Sequence, residues 1–151
     1  MRVALASDHA GLRLKQQLLK ELAGEAELFD LGTDSEEPVD YPDIAARLSD
    51  FVRAGDAERG ILICGSGAGA SIAANKIGGI RAALAHDVYT AHQAVEHDDA
   101  NIIVFGARVI APPLALDLAR TFLAASYTGA ERHVRRLAKI TALEARESRD
   151  R

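Results

Sequence analysis

Cys64 is the only cysteine in a chain of 151 residues, and it closes an apolar run against a glycine-rich turn, Ile61-Leu62-Ile63-Cys64-Gly65-Ser66-Gly67-Ala68-Gly69. Glycine tolerates backbone conformations closed to other residues, so such a turn can aim successive peptide N–H groups at a small anion. A thiol at the head of the turn, near the start of a helix, has its thiolate favoured and can serve as a base. Two readings stay open here. Cys64 is either apolar filler at the end of a buried strand, with the glycines serving a tight turn, or a thiol held beside an anion cradle. The turn matches neither the dinucleotide fingerprint, since the first strand ends in Ser-Asp-His-Ala-Gly, nor the Walker lysine pattern.

Four further sets of residues bear on chemistry. Asp8-His9 follows the first apolar run, where a carboxylate and an imidazole can hold hydroxyl groups and an anion; the plain alternative is a helix N-cap beside a surface histidine. His97 lies in Val95-Glu96-His97-Asp98-Asp99, near the end of a helix, as an acid–base or as a cation at a helix C-terminus. Arg132 and Arg136 are four apart on the last helix and share a face, which suits a phosphate or simply a solvated basic surface. His86 and His92 flank a helix without an evident partner, and His133 lies between Arg132 and Arg135. With no Cys-x-x-Cys and no His-Glu-x-x-His, a metal site has little support.

The elements that must position these residues follow from periodicity. Apolar runs at 3–7, 26–32, 60–64, 81–85 and 101–106 read as strands, the third continuous enough to be covered on both faces. Helical spacing marks 11–24, 41–55, 70–77, 87–98, 112–126 and 131–147, with Pro42 and Pro112 in first turns, Gly24 and Gly55 past ends, and Asp87 as an N-cap. Residues 33–43 are acidic, carry two prolines and form a loop running into the second helix. Strands alternating with helices predict an α/β fold, a Rossmann-like three-layer α/β/α sandwich on a five-stranded parallel sheet with an extended C-terminal helix. Ligands in such sheets bind outside the carboxyl ends of the strands, so Asp8–His9, Gly32–Thr33, Cys64–Gly69, His86–Asp87 and Gly106–Arg108 are expected along one edge.

Composition narrows the class. Residues 1–151 read as one domain, with the tail from about 145 expected to fray. With 18 basic against 22 acidic residues, the chain lacks the basic surface that nucleic acid or an anionic membrane would require. The first apolar run is too short for a signal segment, no run approaches the roughly 20 residues of a membrane helix, and a lone cysteine fits a reducing compartment. A cytoplasmic protein is expected.

Five segments then carry a resemblance: SDHAG (7–11), DYP (40–42), ILICGSGAGASIAANKIGGIRAAL (61–84), EHDDANIIVFGARVI (96–110) and ERHVRR…ITALE (131–144). In this order and spacing, over about residues 2–145, the chain resembles the type B ribose-5-phosphate isomerases, in the family that includes galactose-6-phosphate isomerase. The resemblance implies an aldose–ketose isomerase of sugar phosphates that needs no metal or cofactor. It implies a cis-enediolate route, in a homodimer or dimer of dimers with active sites across the subunit interface. It makes Cys64 the base between C1 and C2, Ser66 the hydroxyl that helps move protons between the oxygens, and the amides of Gly65, Ser66, Gly67, Ala68 and Gly69 the enediolate cradle. His97 would open the furanose ring from the partner subunit. Asp8 would hold sugar hydroxyls, Tyr41 would line the site, and His9, Arg132 and Arg136 would bind phosphate, with Arg108 joining from the other chain.

Two departures matter. Some relatives use a glutamate early in the helix after the glycine turn; that position is Ala70 here, which leaves Cys64 as the base. The family usually has asparagine after the ring-opening histidine, and this chain has Asp98, which when ionised only accepts hydrogen bonds. Alternative readings are therefore an isomerase of another sugar phosphate (allose or galactose 6-phosphate, or a tetrulose phosphate) and a non-catalytic sugar-phosphate-binding module.

Overall fold

The computed structural model describes residues 1–149. Its strands are β1 (Arg2–Ser7), β2 (Glu27–Asp30), β3 (Arg59–Cys64), β4 (Ala82–Leu84) and β5 (Ile102–Gly106). Its helices are α1 (Leu12–Glu21), α2 (Tyr41–Arg53), α3 (Ala68–Ala74), α4 (Val88–Asp98), α5 (Pro112–Ala124) and α6 (Glu131–Arg149). All pairings are parallel and the sheet order is β2-β1-β3-β5-β4. The direction of winding reverses between β1 and β3, and the crevice at such a switch point is where doubly wound sheets bind ligands. Asp8 and Cys64 stand at the carboxyl ends of those two strands.

Alternation along the central strands builds a core on each face. Leu5, Ile61, Ile63, Ile103 and Phe105 point toward α1, α4 and α5. Ala6, Leu62, Cys64, Ile102 and Val104 point toward α2 and α3. Each fully buried Leu, Ile or Phe side chain contributes about 1.5–3 kcal/mol, so the three central strands are the stiffest part of the molecule. Among the described residues no helix is long and apolar enough to cross a membrane.

Element ends differ from the sequence reading for local reasons. Residues His9–Gly11 form a 3-10 turn ahead of α1, because the Asp8 carboxylate accepts the Gly11 N–H at 3.1 Å and tightens the entry. α3 starts at Ala68 rather than 70 and ends at Ala74, where the Asn75 side-chain amide leaves the helix pattern to pair with edge strand β4. It donates to the Ala82 carbonyl at 2.9 Å and accepts the Ala82 N–H at 2.8 Å. Asp87 caps α4 as expected, accepting the Thr90 N–H at 2.7 Å. α6 runs to Arg149; the last two residues of the tail expected to fray lie outside the described residues.

Candidate active site

The turn after β3 is held from both neighbouring strands. Asp8 N–H donates to the Ile63 carbonyl, while Ala107 N–H and Arg108 N–H donate to the carbonyls of Cys64 and Gly65 at 2.9 and 3.0 Å. Gly67 adopts φ +81°, a left-handed conformation that costs a side-chain-bearing residue energy, and this turns its N–H back onto the Cys64 sulfur at 3.1 Å. Cys64 is 4% exposed. Its sulfur is at once part of the α2–α3 face and partner to a loop amide, a donor suited to negative charge on sulfur. Ser66 is exposed beside it, its Oγ accepting the Ala68 N–H at 3.2 Å.

Of the expected carboxyl-edge residues, those after β1, β2 and β5 lie beside this turn or the strand next to it, while Asp87, after the outer strand β4, caps α4. Asp8 is buried and spends one oxygen on the Gly11 N–H, so the N-cap role is realised and one oxygen is left over. His9 accepts the Val39 N–H at Nδ1 (3.2 Å), which leaves Nε2 to carry the proton of the neutral ring. Tyr41, first residue of α2, lays its ring against the turn: a Cβ on Gly69 would come within 2.6 Å of it. Gly32 and Thr33 pair with the backbone of Ser7. Arg108, expected from the other chain, has its guanidinium over the turn of its own chain, Nη1 being 3.0 Å from where a Gly65 Cβ would stand.

Within one chain the remaining candidates lie elsewhere. His97 and Asp98 end α4, beside the start of β5 and therefore at the amino edge of the sheet. Arg81, just before β4, donates to the Asp98 and Asp99 carbonyls there. Thr128 N–H and Oγ1 both donate to the Glu96 carbonyl (3.1 and 3.2 Å), which clasps the approach to α6 onto the end of α4. This sets Arg132 and Arg136 on the solvent side of α6, near His97, and neither forms an ion pair among the described residues. Cations in the first turns of a helix oppose its dipole, a disposition that a bound dianion relieves. Gly106, which pairs with Cys64, is four residue steps from Ile102 along β5. That span is about 13 Å at the usual strand rise, so within one chain Cys64 and His97 stand toward opposite edges of the sheet.

Sequence reasoning passed over two residues. His133 is 2% exposed and stacks on His97, ring centroids 4.0 Å apart and planes 23° apart. Its position four before Leu137 and seven before Ile140 was the available signal, because that spacing puts it on one stripe of α6 with those apolar residues. Lys15 is fully buried, donating to Asp30 and to the Thr33 carbonyl at 2.6 Å, and so ties α1 to the loop that leads to Tyr41. Its spacing from Leu12, Leu18 and Leu22 placed it on the inward face. His92, read as having no partner, meets Glu96 at 3.2 Å.

A family model described as Ribose/Galactose Isomerase matches residues 3–140. The chain belongs to that family. Its curated relatives include ribose-5-phosphate isomerase B of Escherichia coli, 41% identical over 146 residues that cover 96% of this chain and 97% of the relative. Among solved structures, ribose-5-phosphate isomerase B of Clostridium thermocellum superposes with a TM-score of 0.95 at 43% identity, over 97% of this chain and 99% of the other. The Mycoplasma genitalium enzyme, solved with bound ribulose 5-phosphate, gives 0.89 at 37% identity over 95% and 96%. The family's fold and this chain's five-stranded parallel sheet with its flanking helices are therefore the same architecture, as the alternation of strands and helices predicted.

Proposed function

We propose that this chain interconverts ribose 5-phosphate and ribulose 5-phosphate, with Cys64 as the base and two subunits completing each site. The carrying observation is the Cys64 sulfur: enclosed at the switch point of the sheet, capped by the Gly67 N–H, and set at the head of a glycine-rich turn. The sugar opens first, a step assigned to His97: the O1 hydroxyl loses its proton, its electron pair forms the C1–O1 double bond as the C1–O4 ring bond breaks, and O4 gains a proton. The Cys64 thiolate then takes the proton from C2, and the C–H electron pair forms the C1–C2 double bond as negative charge passes to O1. Loop amides hold that charge. The thiol returns its proton to C1, and the O2 hydroxyl proton passes to O1 with the help of Ser66, leaving a ketone at C2. Asp8 takes sugar hydroxyls and Tyr41 walls the site. His9, Arg108, Arg132 and Arg136 hold the phosphate, so that remote binding energy positions the reacting carbons.

The separation of the two residue groups supports a shared site. A single chain offers the thiol and cradle at one edge, and the imidazole with its arginine pair at the other. A cavity of about 500 Å³ at the amino edge, lined by Arg81, Ala83, Asp98, Ile140 and Leu143, adjoins apolar surface that a second copy would cover. We assign a homodimer or dimer of dimers, working in the cytoplasm, with residues 1–151 as one isomerase domain.

One residue favours a second sugar. Asp98 is exposed and makes no side-chain ion pair among the described residues. An ionised carboxylate there repels a phosphate and selects for a hydroxyl that can donate. A panel of four-, five- and six-carbon sugar phosphates should rank ribose 5-phosphate first; a hundredfold preference for another, about 2.7 kcal/mol, would replace the substrate and keep the reaction.

The decisive experiment is C64A. Ribose 5-phosphate conversion and deuterium incorporation from solvent should fall about 10²–10⁴-fold, while phosphate-dependent binding persists. Turnover close to that of the unmodified chain removes the thiol from the reaction; no exchange by the unmodified chain marks a binding module.

A further inference from the structure

The geometry points to His133 as the positioning residue for His97, a buried imidazole that sets the plane of the ring-opening imidazole by stacking on it. This rests on the assignment of His97 to ring opening. No hydrogen bond to the His97 ring occurs among the described residues: the Glu96 carboxylate is 3.9 Å from Nε2 and is engaged with His92 at 3.2 Å. The His97 side chain is about one-third exposed, at the last turn of a helix, where little else confines its torsions. What meets it is the face of His133, 4.0 Å away and 23° from parallel.

His133 is well placed to be rigid. It is 2% exposed, its N–H donates to the Ala130 carbonyl at 2.8 Å, and the turn before it is clasped to α4 through Thr128 and the Glu96 carbonyl. A stack 4.0 Å deep therefore transmits the order of α6 to the one exposed ring that must hand a proton to a sugar oxygen.

Charge makes the platform compatible with that task. Burial holds the His133 imidazole below its ordinary value of 6.5, and His97, Arg132 and Arg136 push the same way, against a smaller opposite pull from Asp98. At neutral pH the platform is uncharged, so it presents a π face to His97 and does not repel the proton that His97 must carry.

The two directions of the reaction separate positioning from general support. Ribose 5-phosphate is cyclic and must be opened. Ribulose 5-phosphate, its O5 blocked by phosphate, cannot close a furanose ring, and deuterium wash-in at its C1 needs only the thiol and cradle. H133A should lower kcat/KM for ribose 5-phosphate about 10- to 100-fold, the usual cost of a misplaced reacting group. Its C1 exchange rate with ribulose 5-phosphate should stay within about threefold of the unmodified chain, and H133F, which keeps a ring face, should restore the forward reaction to within about threefold. Should H133A not fold, H133Q replaces it with the same expectation. The inference is overturned if forward turnover is unchanged without the ring, if both measurements fall together, or if H133F is as impaired as H133A. An unmodified chain that neither converts nor exchanges would bring down the isomerase reading itself, and this inference with it.

Discussion

A base that removes a proton from carbon has to be both dry and reachable, and the surroundings of Cys64 suit the role proposed for it from opposite sides. Its Cα belongs to a strand buried on both faces, while its sulfur accepts from an amide of the open turn. The histidines divide in the same manner: His97 faces solvent and His133 does not. That contrast has a consequence for stability. Because the folded His133 has its proton affinity lowered, the unfolded chain binds more protons than the folded one at pH values between the folded and unfolded midpoints. The folded state is therefore fully favoured above about 6.5 and loses part of that advantage as pH falls through the window beneath it. The lowered carboxyls of Glu25, Glu58 and Asp87, held by Arg120, the Arg2 N–H and the Thr90 N–H, act in a separate window below their ordinary values of 4.5, 4.5 and 3.8. Denaturation melts between pH 7 and 5.5 should show stability decreasing on acidification, and H133F should flatten that slope; an unchanged slope would mean that this imidazole binds its proton equally well in the folded and unfolded chain.

At the scale of elements, what was legible is what depends on short-range pattern. The run Gly60–Cys64 announced a doubly covered strand, Pro42 and Pro112 announced helix starts, and the sheet's carboxyl edge followed from the alternation of strands and helices. Cys64, Asp8, His9, Tyr41 and Arg108 are grouped there as that rule requires. The rest depended on contacts between distant segments. The spacing of Lys15 put it on the inward face of α1 but could not name its partners, Asp30 and the Thr33 carbonyl, and His133 gains its meaning only from α4 packing on α6. The own-chain location of Arg108 likewise arises from the β5 turn folding back on the β3 turn, a pairing no local spacing reports. That pairing is tight enough to test. A Cβ on Gly106 would stand 2.4 Å from the Ser66 carbonyl oxygen and 2.6 Å from its carbon, both backbone atoms that cannot rotate away. G106A should cost about 1–3 kcal/mol of stability, as overpacking does, and displace the cradle. Its kcat should fall further than its KM changes, because the displaced amides serve the enediolate more than the bound sugar. Wild-type kcat in a destabilised G106A would show that the cradle tolerates the shift.

On the proposed reading, the whole molecule presents one incomplete site at each of two edges. The strands set Cys64 at one edge of the sheet and His97 at the other, and in the proposed dimer two copies related by a twofold axis each lend what the other lacks. An isologous pairing makes two such sites at once, both composite. C64A keeps the imidazole and arginines but loses the base; H97A keeps the base but loses the ring opener. Each alone should be nearly inactive on ribose 5-phosphate. In a mixed dimer, one site receives both defects and the other receives both intact halves. Random exchange in an equal mixture makes half of all dimers mixed, so about a quarter of the unmodified activity should return. Native mass spectrometry of differently tagged subunits reports whether exchange has occurred. A mixture that has exchanged and stays inactive would place the whole site within one chain, and with it would go the assignment of His97 to the neighbouring subunit.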